Sequence, residues 1–326
     1  MMKKSTNKST KRYALQKCFA VTLMLVAGCT FASEDPLRAR IQSQDAERFA
    51  ALFRAGKVSD AELQAGYLDG AGRCVQIFTP NRILNATHLA QQVAKRKADY
   101  AHAVATCLPM VNGLNAELRA IYLAYRGLFL EFPLPQVHLV FGAGNSGGTA
   151  RADAQVLGLE VLCKEGTTAA QFRTTMRSFF AHETVHTWQS AGNGPVADRL
   201  LSSALREGVP ELLAELVTGA DPDPDTEAWA RPREADIWRR FSEDRVLMQT
   251  GDDKEKRAAY LRWFSNAGQR FDGLPEGWPA ELGYWVGRNI ARAYFTQTSE
   301  EREALLTLIA AKDPAAILQR SAYAPR

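Results

Sequence analysis

Residues 170–190 contain no Gly or Pro, Phe172, Met176, Phe179 and Phe180 recur there at helical spacing, and two of the chain's five histidines, His182 and His186, fall four apart within it. Four residues is just over one α-helical turn, so both imidazoles leave one face of the helix, near enough to share an ion. Glu183 is rotated about 100° from His182, beside that ion rather than on it. The pattern is H-E-x-x-H, two nitrogen ligands with a glutamate placed to take a proton from metal-bound water. It constrains the fold, because two histidines leave a zinc site incomplete and a third donor must return from elsewhere in the chain. No histidine follows His186, which excludes an H-E-x-x-H-x-x-G-x-x-H site, and a carboxylate that folds back onto the same face is the expected donor. Residues 204–217 read as a further helix, with Glu207, Glu211 and Glu215 at four-residue steps along one face. Glu207 follows His186 by 21 residues, which leaves room for a turn and a return helix. Glu215 reads as part of a solvated face.

The rest of the composition describes a globular chain: 46% hydrophobic, 23% charged, with 326 residues to build a core. The formal charge of +4 is misleading. Lys3, Lys4, Lys8, Lys11, Arg12 and Lys17 precede residue 29 with no acid among them, and without them 34 basic residues face 36 acidic ones. A nucleic-acid footprint needs a basic face on the folded part, and none is visible. The basic stretch is followed by the apolar run 19–26 and by Ala27-Gly28-Cys29. A charged stretch, a short apolar run and small residues form a secretory signal, too short to span a bilayer. Val26-Ala27-Gly28-Cys29 further resembles a bacterial lipobox, in which Cys29 becomes lipid-modified; cleavage after Thr30-Phe31-Ala32 is the competing reading. The expected organisation is a signal over 1–28, a linker over 29–36 and one domain over 37–326, helical in 37–130 and carrying the site in 131–326. The protein is expected in the periplasm or anchored to the membrane of a bacterial envelope.

Helical spacing marks 37–56, a shorter segment capped by Ser59-Asp60, 87–109 and 114–128. Residues 137–141 and 156–163 read as strands, and the glycine-rich stretch 142–148 between them as a turn or loop, since it lacks a phosphate loop's Lys-Ser/Thr ending. From 169 onward nearly all is helical, interrupted at 221–225 and 273–279. Of the cysteines in the mature domain, Cys74, Cys107 and Cys163, three pairings are open. Cys74 with Cys107 is favoured, because Cys163 falls in the apolar run read as a buried strand.

Together, His182-Glu183-Thr184-Val185-His186 and Glu207-Gly208 resemble the gluzincin metallopeptidases. Adding Ser146-Gly147-Gly148, Glu207-Gly208-Val209-Pro210-Glu211-Leu212 and Gly283-Tyr284-Trp285-Val286-Gly287, residues 60–300 resemble a bacterial group of predicted zinc-dependent proteases. The resemblance implies an α+β, mostly helical, zincin-like catalytic domain with a small sheet before the H-E-x-x-H helix. It implies one Zn2+ per chain held by His182, His186 and Glu207, and Glu211 orienting a ligand histidine. It further implies Glu183 as general base, Tyr284 as donor to an oxyanion, and hydrolysis of a peptide or protein substrate paired with the strand 137–141 as an edge. Pro210 and Glu211 depart from the group's pattern, and a proline inside a helix bears directly on where Glu207 is held. Two other classes stay open. One is a catalytically silent zinc-binding envelope scaffold with a closed four-ligand site that uses Glu211 or Glu215. The other is a partner-binding lipoprotein without metal.

Overall fold

The computed structural model describes residues 33–166, 168–189, 197–267, 269 and 271–326. The signal 1–28, Cys29 and linker residues 30–32 lie outside the described residues. From Ser33 the architecture is α+β and mostly helical. β1 (Ile41–Gln42), a helix at Gln44–Arg54 and a series of short helical turns lead to the helix Asn115–Leu128. β2 (Gln136–Val140), β3 (Gly148–Arg151) and β4 (Ala154–Gly158) follow, then helices to Ser321. The stretch 87–109, read as one helix, is broken at Arg96 into Ala86–Lys95 and Lys97–His102, with a wider turn at Ala103–Cys107.

The strands form one sheet in the order β1-β2-β4-β3, with β1, β2 and β4 parallel and β3 antiparallel to β4. His138 faces Val156 on one side of β4, and Thr149 faces Val156 on the other. The strand over 137–141 is therefore interior, paired with β4 from Gln136 to Val140 and with β1 at Val137 and His138, and is not the edge strand expected for an extended peptide. The edge strands are the two-residue β1 and β3, and β3 begins at Gly148, the last residue of the stretch read as a loop. Every residue of β4 is buried, as a central strand requires.

The expected strand 156–163 ends at Gly158, and Leu159–Glu165 is a helix. An unbroken apolar run has no period that separates a buried strand from a buried helix. The difference redirects a cysteine. On the helix Cys163 reaches the turn Ala103–Cys107 and forms a disulfide with Cys107, Cα–Cα 5.9 Å, so the Cys74–Cys107 pairing is corrected. Cys74 is free and buried, and burial pushes its thiol up to about 12, which leaves it unreactive.

Three helices hold the site: Ala169–Trp188 with the histidines, Arg199–Thr218 with Glu207, and Leu282–Phe295 crossing the second. Thr168 and Gln171 form a capping box that fixes where the histidine helix starts. Asp198 caps the glutamate helix by accepting from Leu201 N at 2.9 Å, and Gly219, at φ 68°, ends it. Buried polar contacts set the histidine helix on the sheet and on the helix before it. Gln155 of β4 donates to Thr184 Oγ1 at 2.9 Å, and the Tyr125 hydroxyl donates to the Ala181 carbonyl at 2.9 Å. The glutamate and crossing helices meet backbone to backbone. A Cβ on Gly208 would lie 2.1 Å from Arg288 N, and one on Gly287 would lie 1.8 Å from the Ala204 carbonyl oxygen. Only glycine allows that approach, and it joins the Glu207-Gly208 pair to the last glycine of 283–287.

Candidate metal centre

His182 and His186 sit on consecutive turns of their helix with ring centroids 4.7 Å apart, and their Nε2 atoms converge to 3.0 Å. Glu207 comes in from the neighbouring helix, its Oε2 3.0 Å from His186 Nε2 and 3.6 Å from His182 Nε2. Four bonds of 2.0–2.1 Å in a tetrahedron separate neighbouring donor atoms by about 3.3 Å, so these separations suit one zinc ion. The environment favours positive charge, whether a proton or a metal ion. Three lone-pair-bearing atoms face one another across a few ångströms, with the side chains only 12–21% exposed. Burial alone would keep His186 neutral, but the Glu207 carboxylate outweighs it and raises the imidazole to about 9. Burial likewise opposes charge on Glu207, and the two histidines overcome it and hold the carboxyl well below its usual range.

The orientation of His186 is set by a residue outside the motif. Gln189 Oε1 lies 2.7 Å from His186 Nδ1, and Gln189 Nε2 donates to the Arg206 carbonyl at 2.9 Å. Arg206 is four residues before Pro210, so its carbonyl is the one left without a helical partner by proline's missing N–H. The helix nevertheless runs unbroken from Arg199 to Thr218, and Glu207 keeps its place. With Nδ1 donating to the amide, Nε2 carries the lone pair that a metal needs. The sequence held this signal in two parts: a glutamine three residues after the second histidine, and a proline whose freed carbonyl needs a donor.

The remaining candidates are near the centre but differently employed. Glu211 turns to Arg288, Oε2 to Nε 3.7 Å, and makes no hydrogen bond to either histidine, so the expected orienting role belongs to Gln189. Burial raises Glu211 to about 8 against the opposing charge of Arg288, whose terminal nitrogens donate to Asp221 and Glu227. Glu215 pairs with Arg292 rather than lying free on a solvated face. Neither glutamate belongs to the converging set of His182, His186 and Glu207. Tyr284 lies parallel to the His182 ring, centroids 6.0 Å apart, and 6.1 Å from Phe264, forming an aromatic wall. Burial, then the charge of Glu207, raises its hydroxyl well above the ordinary value. Glu183 is 6% exposed; its Oε2 has no hydrogen-bond partner. It packs against β3 so closely that a Cβ on Gly148 would stand 2.5 Å from Oε1. Arg82 holds that strand's approach by donating to Ser146 Oγ at 3.0 Å, and Ser146 donates in turn to the Gly148 carbonyl at 2.8 Å. Arg82 and Gln189 are the two positioning side chains that spacing rules did not reveal.

A family profile described as gliding motility protein GldB matches residues 210–325, about a third of the chain, beginning just after Glu207. No curated protein and no solved structure matches. This corrects the expected identity: the matching family is a motility protein's and not a peptidase's, so the gluzincin resemblance and the peptide-hydrolysing activity and peptide substrate drawn from it are withdrawn. The interior position of β2 removes the structural ground for the substrate as well. The likeness is to cell-envelope lipoproteins, and the localisation agrees with the N-terminal segment: exported and membrane-anchored.

Proposed function

We propose that the chain is an envelope lipoprotein, anchored through Cys29, that binds one zinc ion and works by docking envelope partners. The observation that carries the metal is the convergence of His182 Nε2, His186 Nε2 and Glu207 Oε2, all within 4.8 Å of one another. His182 and His186 hold the ion from one helix and Glu207 from the next, so the ion cross-links the two helices that meet the region similar to the motility protein. The arrangement of a small sheet, a histidine helix and a return helix is what supports the finer, zincin-like description of the fold. With Glu211 and Glu215 engaged by arginines, the protein supplies three ligands, and the fourth position is left to water or to a partner's side chain. The likeness over 210–325 supports partners in a cell-surface motility assembly. Elemental mass spectrometry on the purified chain tests the metal: one zinc per chain, lost in His186→Ala and Glu207→Ala. No zinc after reconstitution at neutral pH would leave a partner-binding lipoprotein without metal. Co-isolation from envelopes with and without the Glu207→Ala change tests whether docking needs the ion.

A further inference from the structure

Four of the seven exposed large apolar side chains among the described residues, Leu37, Leu123, Leu128 and Leu130, gather around one helix. On Asn115–Leu128 the exposed positions are Ala116, Ala120, Leu123, Gly127 and Leu128, and no charged side chain is among them. Leu130 follows just beyond the helix end at 77% exposure, the highest of the seven, bordered by the exposed Glu131–Arg302 ion pair, whose arginine also donates to the Leu128 carbonyl. Leu37 is 68% exposed on residues 33–41, which run back along the same helix. Their start is held at its far end, where Arg126 donates to Ser33 Oγ at 2.9 Å. Their finish is held at its beginning, where Ile41 N donates to Asn115 Oδ1 at 2.8 Å.

We propose that this apolar face is the surface with which the anchored protein lies on the phospholipid bilayer. The position of Ser33 at the end of helix Asn115–Leu128 supports this, together with the reading of Cys29 as the lipid-bearing residue, on which the proposal rests. Cys29 is four residues before Ser33, and four residues reach ~14 Å at full extension. Ser33 is fixed against the face itself: Arg126, which donates to it, also donates to the Leu130 carbonyl at 2.9 Å, and Leu134 N donates to Ser33 Oγ at 2.9 Å. A lipid tethered this closely keeps the bilayer near the leucines at high effective concentration, so a few apolar contacts are enough to set orientation. Arg40, exposed beside Leu37, can meet the phosphates of lipid headgroups, while Arg38, also exposed, pairs with Asp35 at 3.6 Å.

The test uses the full, processed chain in vesicles of phosphatidylethanolamine and phosphatidylglycerol with brominated acyl chains, and the variants Leu123→Trp, Leu130→Trp and Val246→Trp. Val246 is equally apolar and 59% exposed, but on the helix Glu234–Thr250. The bromines are expected to remove about half of the emission added at positions 123 and 130 and none of that added at 246. Equal quenching at all three, or none in protein that floats with the vesicles, overturns the proposal. A tryptophan at 130 that is shielded from aqueous acrylamide but untouched by bromine also overturns it and assigns the face to a protein. Failure to float, with an unmodified N-terminal peptide by mass spectrometry, instead identifies the anchor reading as the one that failed and removes the proposal with it.

Discussion

His186 is held at both ring nitrogens, and the two contacts have different jobs. Nε2 faces Glu207 and His182, while Nδ1 meets Gln189, whose amide is itself fixed to the Arg206 carbonyl. Removing the amide frees the ring and its tautomer without removing a ligand. Gln189→Ala is therefore expected to keep one zinc per chain at saturating metal but to weaken affinity about 10–100-fold, read by competition with a chelating dye. An unchanged affinity would show that the ring is held by packing alone. Glu183→Gln separates neighbour from ligand. Its carboxylate is packed on Gly148 and lies outside the converging donor set, so zinc stoichiometry is expected to stay at one. Loss of the metal in that variant would redraw the ligand set.

Among the elements, the crossing of Arg199–Thr218 with Leu282–Phe295 is the most demanding contact, because backbone meets backbone at Gly208 and Gly287. A methyl at Gly287 must push the helices apart, since what it meets is the Ala204 carbonyl and not a movable side chain. Gly287→Ala is expected to cost about 1–3 kcal/mol in urea unfolding and to weaken zinc binding, because Glu207 adjoins the contact. Gly127→Ala, with open space around its Cβ position on a helix, is expected to gain about 0.5–1 kcal/mol. Equal effects from the two would mean that helix propensity, not the close crossing, governs both. This scale also shows what spacing alone reveals. The histidine helix was legible because its apolar period is strong and the two ligands lie within one turn. The return of Glu207 was legible because the 21 residues from His186 leave room for a turn and a return helix. The sheet was not: alternation within 137–141 marks a strand but says nothing about which strands flank it. Nor was the disulfide, since its geometry turned on whether 159–163 was extended or coiled. The peptidase reading failed differently. Residues placed to hold a metal do not by themselves specify the chemistry done there.

At the scale of the whole molecule, two cross-links tie the parts together. One is the Cys107–Cys163 disulfide, which joins the helical N-terminal part to the helix just after β4, and the other is the proposed metal between the histidine and glutamate helices. Paired Cys107→Ser and Cys163→Ser changes are expected to cost about 2–5 kcal/mol, the range for a native disulfide, whether or not metal is present. The metal cross-link, unlike the disulfide, depends on pH. In metal-free protein three groups have folded pKa values above their ordinary ones: half-buried His186 at about 9, half-buried Glu211 at about 8, and Glu165, on the surface, at about 7, the last two raised chiefly by desolvation. Each binds its proton more tightly folded than unfolded, so each contributes stability that is full below its ordinary pKa and lost as pH climbs through the folded one. For the carboxyls the loss begins near 4.5 and for His186 near 6.5, and all three act in the same direction up to about 9. Glu207 acts oppositely, but its depressed pKa places its loss in acid, below that window. Zinc needs His186 without its proton, so metal binding competes with protonation and strengthens as pH rises. Chelator-treated protein is thus expected to lose thermal stability from pH 5 to pH 9, while zinc-loaded protein holds level or gains, and the gap between the two melting temperatures widens. The same competition predicts net proton release when zinc is titrated in at pH 7, measurable by calorimetry in buffers of different ionisation enthalpy. Parallel melting curves, or zinc uptake without proton release, would place the ion somewhere other than on His186.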